Sequence, residues 1–136
     1  MTIEYRLGKD ALELDEVIEL FRASTLGVRR PVDDRARMQA MLEHANLVVT
    51  AWDGLRLVGI ARSLSDYAFC TYLSDLAVHV DYQRQGIGKE LMRRTQTAGG
   101  RATIFLFAAP AAAGYYPHVG LSSGSGWLLN ENQRIP

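Results

Sequence analysis

Apolar and polar positions alternate at the start of the chain. Ile3, Tyr5 and Leu7 are separated by polar residues up to Gly8, a spacing of two that predicts a short, half-buried strand. The period then changes. Asp10 with Glu13 has the form of a helix-capping arrangement, and Leu14, Val17, Ile18 and Phe21 recur at helical spacing, so a first helix runs through Ser24. Residues 25–32, TLGVRRPV, show no apolar period and read as an exposed loop. Asp33 or Asp34 can cap a second helix, with Met38, Met41, Leu42 and Ala45 as its buried stripe and an end near Asn46.

Two strand-like runs follow, 47–52 and 55–64, joined by Asp53-Gly54, a strong hairpin signal. Ser65-Asp66-Tyr67 turns the chain into a third strand over 72–80, which completes an antiparallel meander. Residues 81–85 form a polar loop leading to Gly86-Ile87-Gly88, and Ile87, Leu91 and Met92 then repeat as the buried face of a third helix closed by Gly99-Gly100. The run 103–108, TIFLFA, has the length and composition of a central strand. Strand, helix and strand in series predict a right-handed crossover with parallel strands. Pro110 starts a short helix over 110–116, Gly120 closes it, and Trp127-Leu128-Leu129 is the one convincing final strand.

Composition narrows the functional classes. The 136 residues suit one ordinary domain, 1–136, with a core that needs no disulfide or structural metal. Apolar content of 48% with zero formal net charge is that of a water-soluble globular protein and offers no electrostatic case for nucleic acid. Cys70 is the only cysteine, so no internal disulfide forms, and a reducing cytoplasm is the expected location. No apolar run approaches the roughly 20 residues of a membrane span, and the acidic N-terminus is unlike a signal peptide. His44, His79 and His118 are scattered without zinc-ligand spacing, so no metal site is expected. Gly124-Ser125-Gly126 lacks the spacing of a hydrolase nucleophile elbow.

The chemistry concentrates between Ser74 and Ala98. A helix that starts at glycines leaves backbone N–H groups unpaired and unobstructed, and with the helix dipole they make an anion site suited to a pyrophosphate. A dinucleotide-binding loop would need a third glycine and a parallel βαβ setting, and a P-loop needs G-x-x-x-x-G-K-[ST]; neither is present.

Gln83-Arg84-Gln85-Gly86-Ile87-Gly88 fits Q/R-x-x-G-x-G/A and follows the apolar Leu76-Ala77-Val78. Tyr116-Pro117-His118-Val119-Gly120-Leu121 is similar to Y-x-x-x-G-F. In these segments and in the order of its elements, from Ile3 to Gly120, the chain resembles the GNAT superfamily of acyl-CoA-dependent N-acyltransferases. The resemblance implies an α/β (α+β) fold, a mixed and mostly antiparallel sheet flanked by helices in the order β-α-α-β-β-β-α-β-α-β. It implies acetyl-CoA as cosubstrate and a primary amine of a small molecule or peptide as acceptor.

Residue by residue, the resemblance implies that the amides of Arg84, Gln85, Gly86, Ile87, Gly88 and Lys89 hold the pyrophosphate while Gln83 positions the loop. Backbone groups of Leu76, Ala77 and Val78 would pair with pantetheine, with the Leu76 N–H directed at the thioester oxygen. Tyr116 would protonate the departing thiolate, with Tyr115 beside it as the other ring able to face inward, and Asp75 would accept the amine proton directly or through a water. Arg29 and Arg30 either line the acceptor pocket, where they would favour a carboxylate or phosphate, or lie on the surface. Arg93 and Arg94 either approach the coenzyme's phosphates or form a solvated face. Ala109 stands where the family often has an asparagine, and Leu121 where it has a phenylalanine. Little chain remains for the family's last two strands, so the sheet is either reduced there or completed by a second copy in a homodimer. The alternative function is a non-catalytic acyl-CoA sensor of the same fold.

Overall fold

In the computed structural model, which describes residues 2–136, the chain divides into two compact units, one ending at Leu106 and one spanning Phe107–Pro136. The first unit contains a five-stranded sheet. Its strands are β1 (Glu4–Leu7), β2 (Leu47–Asp53), β3 (Arg56–Ser65), β4 (Cys70–Val78) and β5 (Thr103–Phe105), and they lie side by side in sequence order. All neighbours are antiparallel except β4 and β5. Helices α1 (Leu14–Arg22), α2 (Arg35–His44) and α3 (Ile87–Ala98) complete it.

The core follows the periodicities. Val17, Ile18, Leu20 and Phe21 of α1 pack with Met38 and Leu42 of α2 against Val48, Trp52, Ile60 and Ala77 of the sheet. Helix α3 buries Ile87, Leu91 and Met92, and it comes close because Gly59 has no side chain. A Cβ there would lie 3.0 Å from Leu91 Cδ1 and 3.2 Å from Ile87 Cγ2. Lys9 joins the first strand's exit to α2. Its ammonium donates to the carbonyls of Leu42 (3.1 Å), Glu43 (2.5 Å) and Ala45 (2.6 Å), three acceptors at the helix C-terminus, where the dipole favours a cation.

Five expectations need correction. The Asp10–Glu13 arrangement does not cap α1, because the helix starts one residue after Glu13, whose side chain makes no cap bond. Residues 25–32 are not a fully exposed loop. Thr25–Arg29 is a 3-10 turn capped by the Ser24 hydroxyl, and Leu26 and Val32 pack on the core, two apolar residues too widely spaced to register as a period. The apolar run 103–108 pairs over only three residues and is the edge of the sheet, with Phe105 half exposed, since apolar composition reports a demand for burial but not which strand stands next to which.

The second unit holds a 3-10 turn at Pro110–Ala112 and the four-residue helix α4 (Tyr115–His118), where one longer helix was predicted. No strand forms over Trp127-Leu128-Leu129. The segment 121–130 is irregular and those three side chains are exposed, lacking any partner strand that would satisfy their backbone.

Candidate active site

Strand β4 is divided by a bulge. Arg62 stands opposite Asp75 and Ser63 opposite Leu73, leaving Ser74 without an opposing residue. On its other side β4 pairs with β5 only from Cys70 to Tyr72. Among the described residues no strand neighbours that side beyond the bulge, so the edge from Leu76 to Val78 is open.

Alternation decides which groups face this edge. His79 N–H donates to Val58 O at 2.8 Å, towards β3, so Ala77 and Asp75, in phase with it, also point their amides at β3. Leu76 and Val78, out of phase, direct theirs at the open side. The Val78 carbonyl follows the same parity and is taken by the Gln83 amide at 3.0 Å. That bond ties the strand's end to the glycine loop and leaves the Val78 N–H and both backbone groups of Leu76 for a ligand.

The loop itself is braced from the β2–β3 hairpin. The Tyr82 hydroxyl donates to Asp53 Oδ2 at 2.5 Å, and that bond, with burial, pushes its phenol above the usual value. Arg56 reaches His79 Nε2 at 2.9 Å. The chain then passes through left-handed backbone at Arg84 (φ 64°) and at Gly86 (φ 83°), the N-cap of α3. Apart from its chain neighbours, no described residue has a heavy atom within 4 Å of where a Gly86 Cβ would stand, so the space in front of the helix start is open. The first amides of α3 have no intrahelical partner. Arg84 and Lys89 are exposed, and among the described residues neither side chain forms an ion pair. Backbone free on one edge of a strand, then an unobstructed helix N-terminus, is an arrangement that pairs with an extended amide-bearing chain and receives its phosphates.

Arg93 and Arg94 do not share this freedom. Both pair with Glu90, whose carboxyl they hold down at about 2, Arg93 contributing the most. Arg94 also lies 4.6 Å over the Tyr5 ring. They form a braced helix face.

Asp75 is completely buried and fully engaged. Its Oδ1 accepts from Arg30 Nε at 2.5 Å and its Oδ2 from Arg62 Nε. Arg62 also donates to Met41 O (3.1 Å) and Ser74 Oγ (3.0 Å), and Arg30 to Ser74 O (2.7 Å). This geometry favours a positioning role over proton transfer, because both oxygens are held by guanidinium groups. The triad was not legible in the sequence, although a charged residue inside the apolar run 55–64 was a signal that Arg62 had a buried partner.

The triad fixes the segment after α1. Val80 N–H donates to Ala23 O at 2.9 Å, and Arg30 grips the bulge, so residues 24–30 lie alongside β4 beyond Ser74. Gly27 permits the tight path: a Cβ would stand 2.6 Å from Phe21 O.

In the second unit the Tyr115 and Tyr116 rings meet edge to face, 5.4 Å between centroids. Tyr116 is the more buried of the two, and burial raises both phenols above their usual value. Among the described residues no group of three or more His, Cys, Asp or Glu side chains could hold a metal, and no helix is long and apolar enough to cross a membrane.

Comparison with known proteins agrees with this geometry. Residues 23–123 match the model of the acetyltransferase (GNAT) domain. The uncharacterized N-acetyltransferase ycf52-like protein of Prochlorococcus marinus is 31% identical over 127 residues, covering 88% of this chain; the chain spans 63% of that relative's length. A GNAT family acetyltransferase of Streptococcus pneumoniae superposes with a TM-score of 0.74 at 26% identity, over 96% of this chain and 100% of that one. An aminoglycoside N-acetyltransferase solved with CoA shares the fold, with a TM-score of 0.72 at 14% identity over 98% of this chain and 96% of its own. With three quarters of its length matched, the chain belongs to the GNAT acetyltransferase family.

Proposed function

We propose that the protein transfers an acetyl group from acetyl-CoA to a primary amine by direct attack. The observation that carries this reading is the open edge of β4 running, through Gln83 and the left-handed turn, into the free N-terminus of α3. Leu76 and Val78 offer the pantetheine arm its strand-like partners, Ala77 holds that segment to β3, and the amides from Arg84 to Lys89 receive the pyrophosphate. The Leu76 N–H is the donor to the thioester oxygen, where negative charge develops. Acetyl-CoA supplies a thioester: as the amine N–C bond forms, the C–S bond breaks, its electron pair leaves with sulfur, and the amine releases a proton.

Tyr116 is assigned as the acid that hands a proton to the thiolate, a role consistent with a phenol kept protonated by burial. Asp75 is assigned to positioning rather than to proton transfer. Alignment of amine and thioester then supplies most of the acceleration. We place the reaction in a reducing compartment such as the cytoplasm, on the strength of Cys70 being the only cysteine.

Calorimetric titration with acetyl-CoA and CoA tests the coenzyme site. Binding in the micromolar to millimolar range is expected, with Gly86→Glu abolishing it, and absence of binding refutes the reading. Thiol release with a panel of amines tests turnover. Tyr116→Phe is expected to slow turnover while acetyl-CoA affinity is kept. Tight binding with no thiol released for any amine would instead identify a sensor.

A further inference from the structure

The segment that walls the open edge of β4 carries more positive charge than its surroundings neutralise. In the buried triad two guanidinium groups face one carboxylate, leaving one positive charge in excess. The other partners of Arg30 and Arg62 are neutral oxygens: the carbonyls of Arg29, Met41 and Ser74 and the Ser74 hydroxyl. Such dipoles solvate a charge without cancelling it. Arg62 is buried and Arg30 mostly so, with 8% and 23% of their side chains exposed, and an uncompensated charge in such a place is costly until an anion arrives. Arg29, the adjacent residue, is exposed and adds a second cation, with no ion pair among the described residues.

Carboxylates are missing from the sequence where they could offset this. Residues 23–32 and 76–80 contain no Asp or Glu. Of the flanking acids, Asp33 pairs with Arg22 and Asp81 lies 3.9 Å from His79 Nδ1. The stitches at Ala23 and Arg30 hold this cationic segment beside the same stretch of β4 whose free amides were assigned to the thioester arm. With the thioester placed as proposed, residues 24–30 border the place where the amine meets it.

We infer that the acceptor is an amine bearing an anionic group, a carboxylate or a phosphate, received by Arg29 and the outer face of Arg30. A polycationic amine would meet like charge on this wall. The inference rests on the acetyltransferase reading and adds the charge class of the acceptor.

Two matched pairs isolate the charge: glycine against glycinamide, and O-phosphoethanolamine against ethanolamine, with spermidine and kanamycin as the polycationic arm. Thiol release is measured with rates referred to each amine's free-base fraction, and binding is measured by calorimetry into CoA-saturated protein. The charged member of at least one pair is expected to exceed its neutral partner in kcat/KM by about tenfold, the worth of one well-placed charged contact. The glycine pair reports a carboxylate site and the ethanolamine pair a phosphate site. Arg29→Glu is expected to reduce that ratio at least about tenfold, while Arg29→Lys retains most of it. Equal rates and affinities within both pairs, a preference for spermidine or kanamycin, or a ratio unmoved by Arg29→Glu overturns the inference. Acetyl-CoA titration of the same sample separates the failures. If acetyl-CoA binds and the charge preference is reversed, only the acceptor assignment falls; if acetyl-CoA does not bind, the reading beneath it falls as well.

Discussion

Asp75→Asn removes the only negative charge from a buried group of three. The substitution is nearly isosteric, so it opens no cavity, and its effect is electrostatic: Arg30 and Arg62 lose their shared counter-ion while their backbone acceptors stay. Breaking a buried ion pair from one side costs about 3–5 kcal/mol, because the partner charge remains buried and unpaired. For a chain of this length, at about 3–4 °C per kcal/mol, the thermal midpoint should fall by about 10–20 °C. The assay is a melt followed by circular dichroism, with urea unfolding to confirm that the slope is unchanged. A triple variant, Asp75→Leu with Arg30→Met and Arg62→Met, should recover more than half of the loss, since no buried charge is then left without a counter-ion. A general base would behave otherwise, its asparagine variant keeping the parent midpoint and losing only turnover. A midpoint for Asp75→Asn within about 3 °C of the parent, under about 1 kcal/mol, would refute the positioning role.

Three further outcomes follow from the packing and the charges. Gly59→Ala should destabilise the chain by about 1–3 kcal/mol in urea unfolding, since its methyl group meets Leu91 and Ile87 at overpacked distances. Lys9→Met keeps the stem but loses three carbonyl contacts at the end of α2, and about 1–2 kcal/mol should be lost in the same measurement. Asp66 accepts from the amides of Phe69, Ala68 and Cys70, and Glu90 is held by Arg93 and Arg94; both carboxyls lie at about 2, below their ordinary values. Their folded-state values are depressed, so the stability they contribute is complete above the ordinary carboxylate range. Thermal midpoints at several pH values should show that stability lost as pH falls from about 4.5 towards 2, with a shallower decline in Glu90→Gln.

The parts of this fold that the sequence displays are those held by near neighbours. Helices α1 and α3 show their stripes because each keeps a single face buried, Phe21 in the cluster with α2 and the sheet and Leu91 over Gly59, and Asp53-Gly54 marks the hairpin because only a few residues turn that tightly. The loop from Gln83 to Gly88 is equally local, and its two glycines mark where strand gives way to helix, with Gly86 in the left-handed region. What stays hidden depends on distant partners. Arg30 and Asp75 are 45 residues apart, and neither carries a sign of the other. The bulge at Ser74, which starts the open edge, is a property of how β3 and β4 register, not of either strand's composition. Residues 103–108 misled for a related reason, since an apolar run states that a strand wants cover and leaves open what provides it.

The stitches at Ala23 and Arg30 have a consequence for how such a protein changes over generations. They close the intervening stretch into a cassette, anchored at both ends to a strand whose own stability resides elsewhere in the sheet. Between the anchors the exposed Thr25, Val28 and Arg29 can be exchanged without disturbing α1, β4 or the phosphate loop, whereas Ser24 caps the turn, Leu26 packs on the core and Gly27, close to Phe21, admits no side chain. Acceptor preference can therefore drift while the coenzyme machinery stands still.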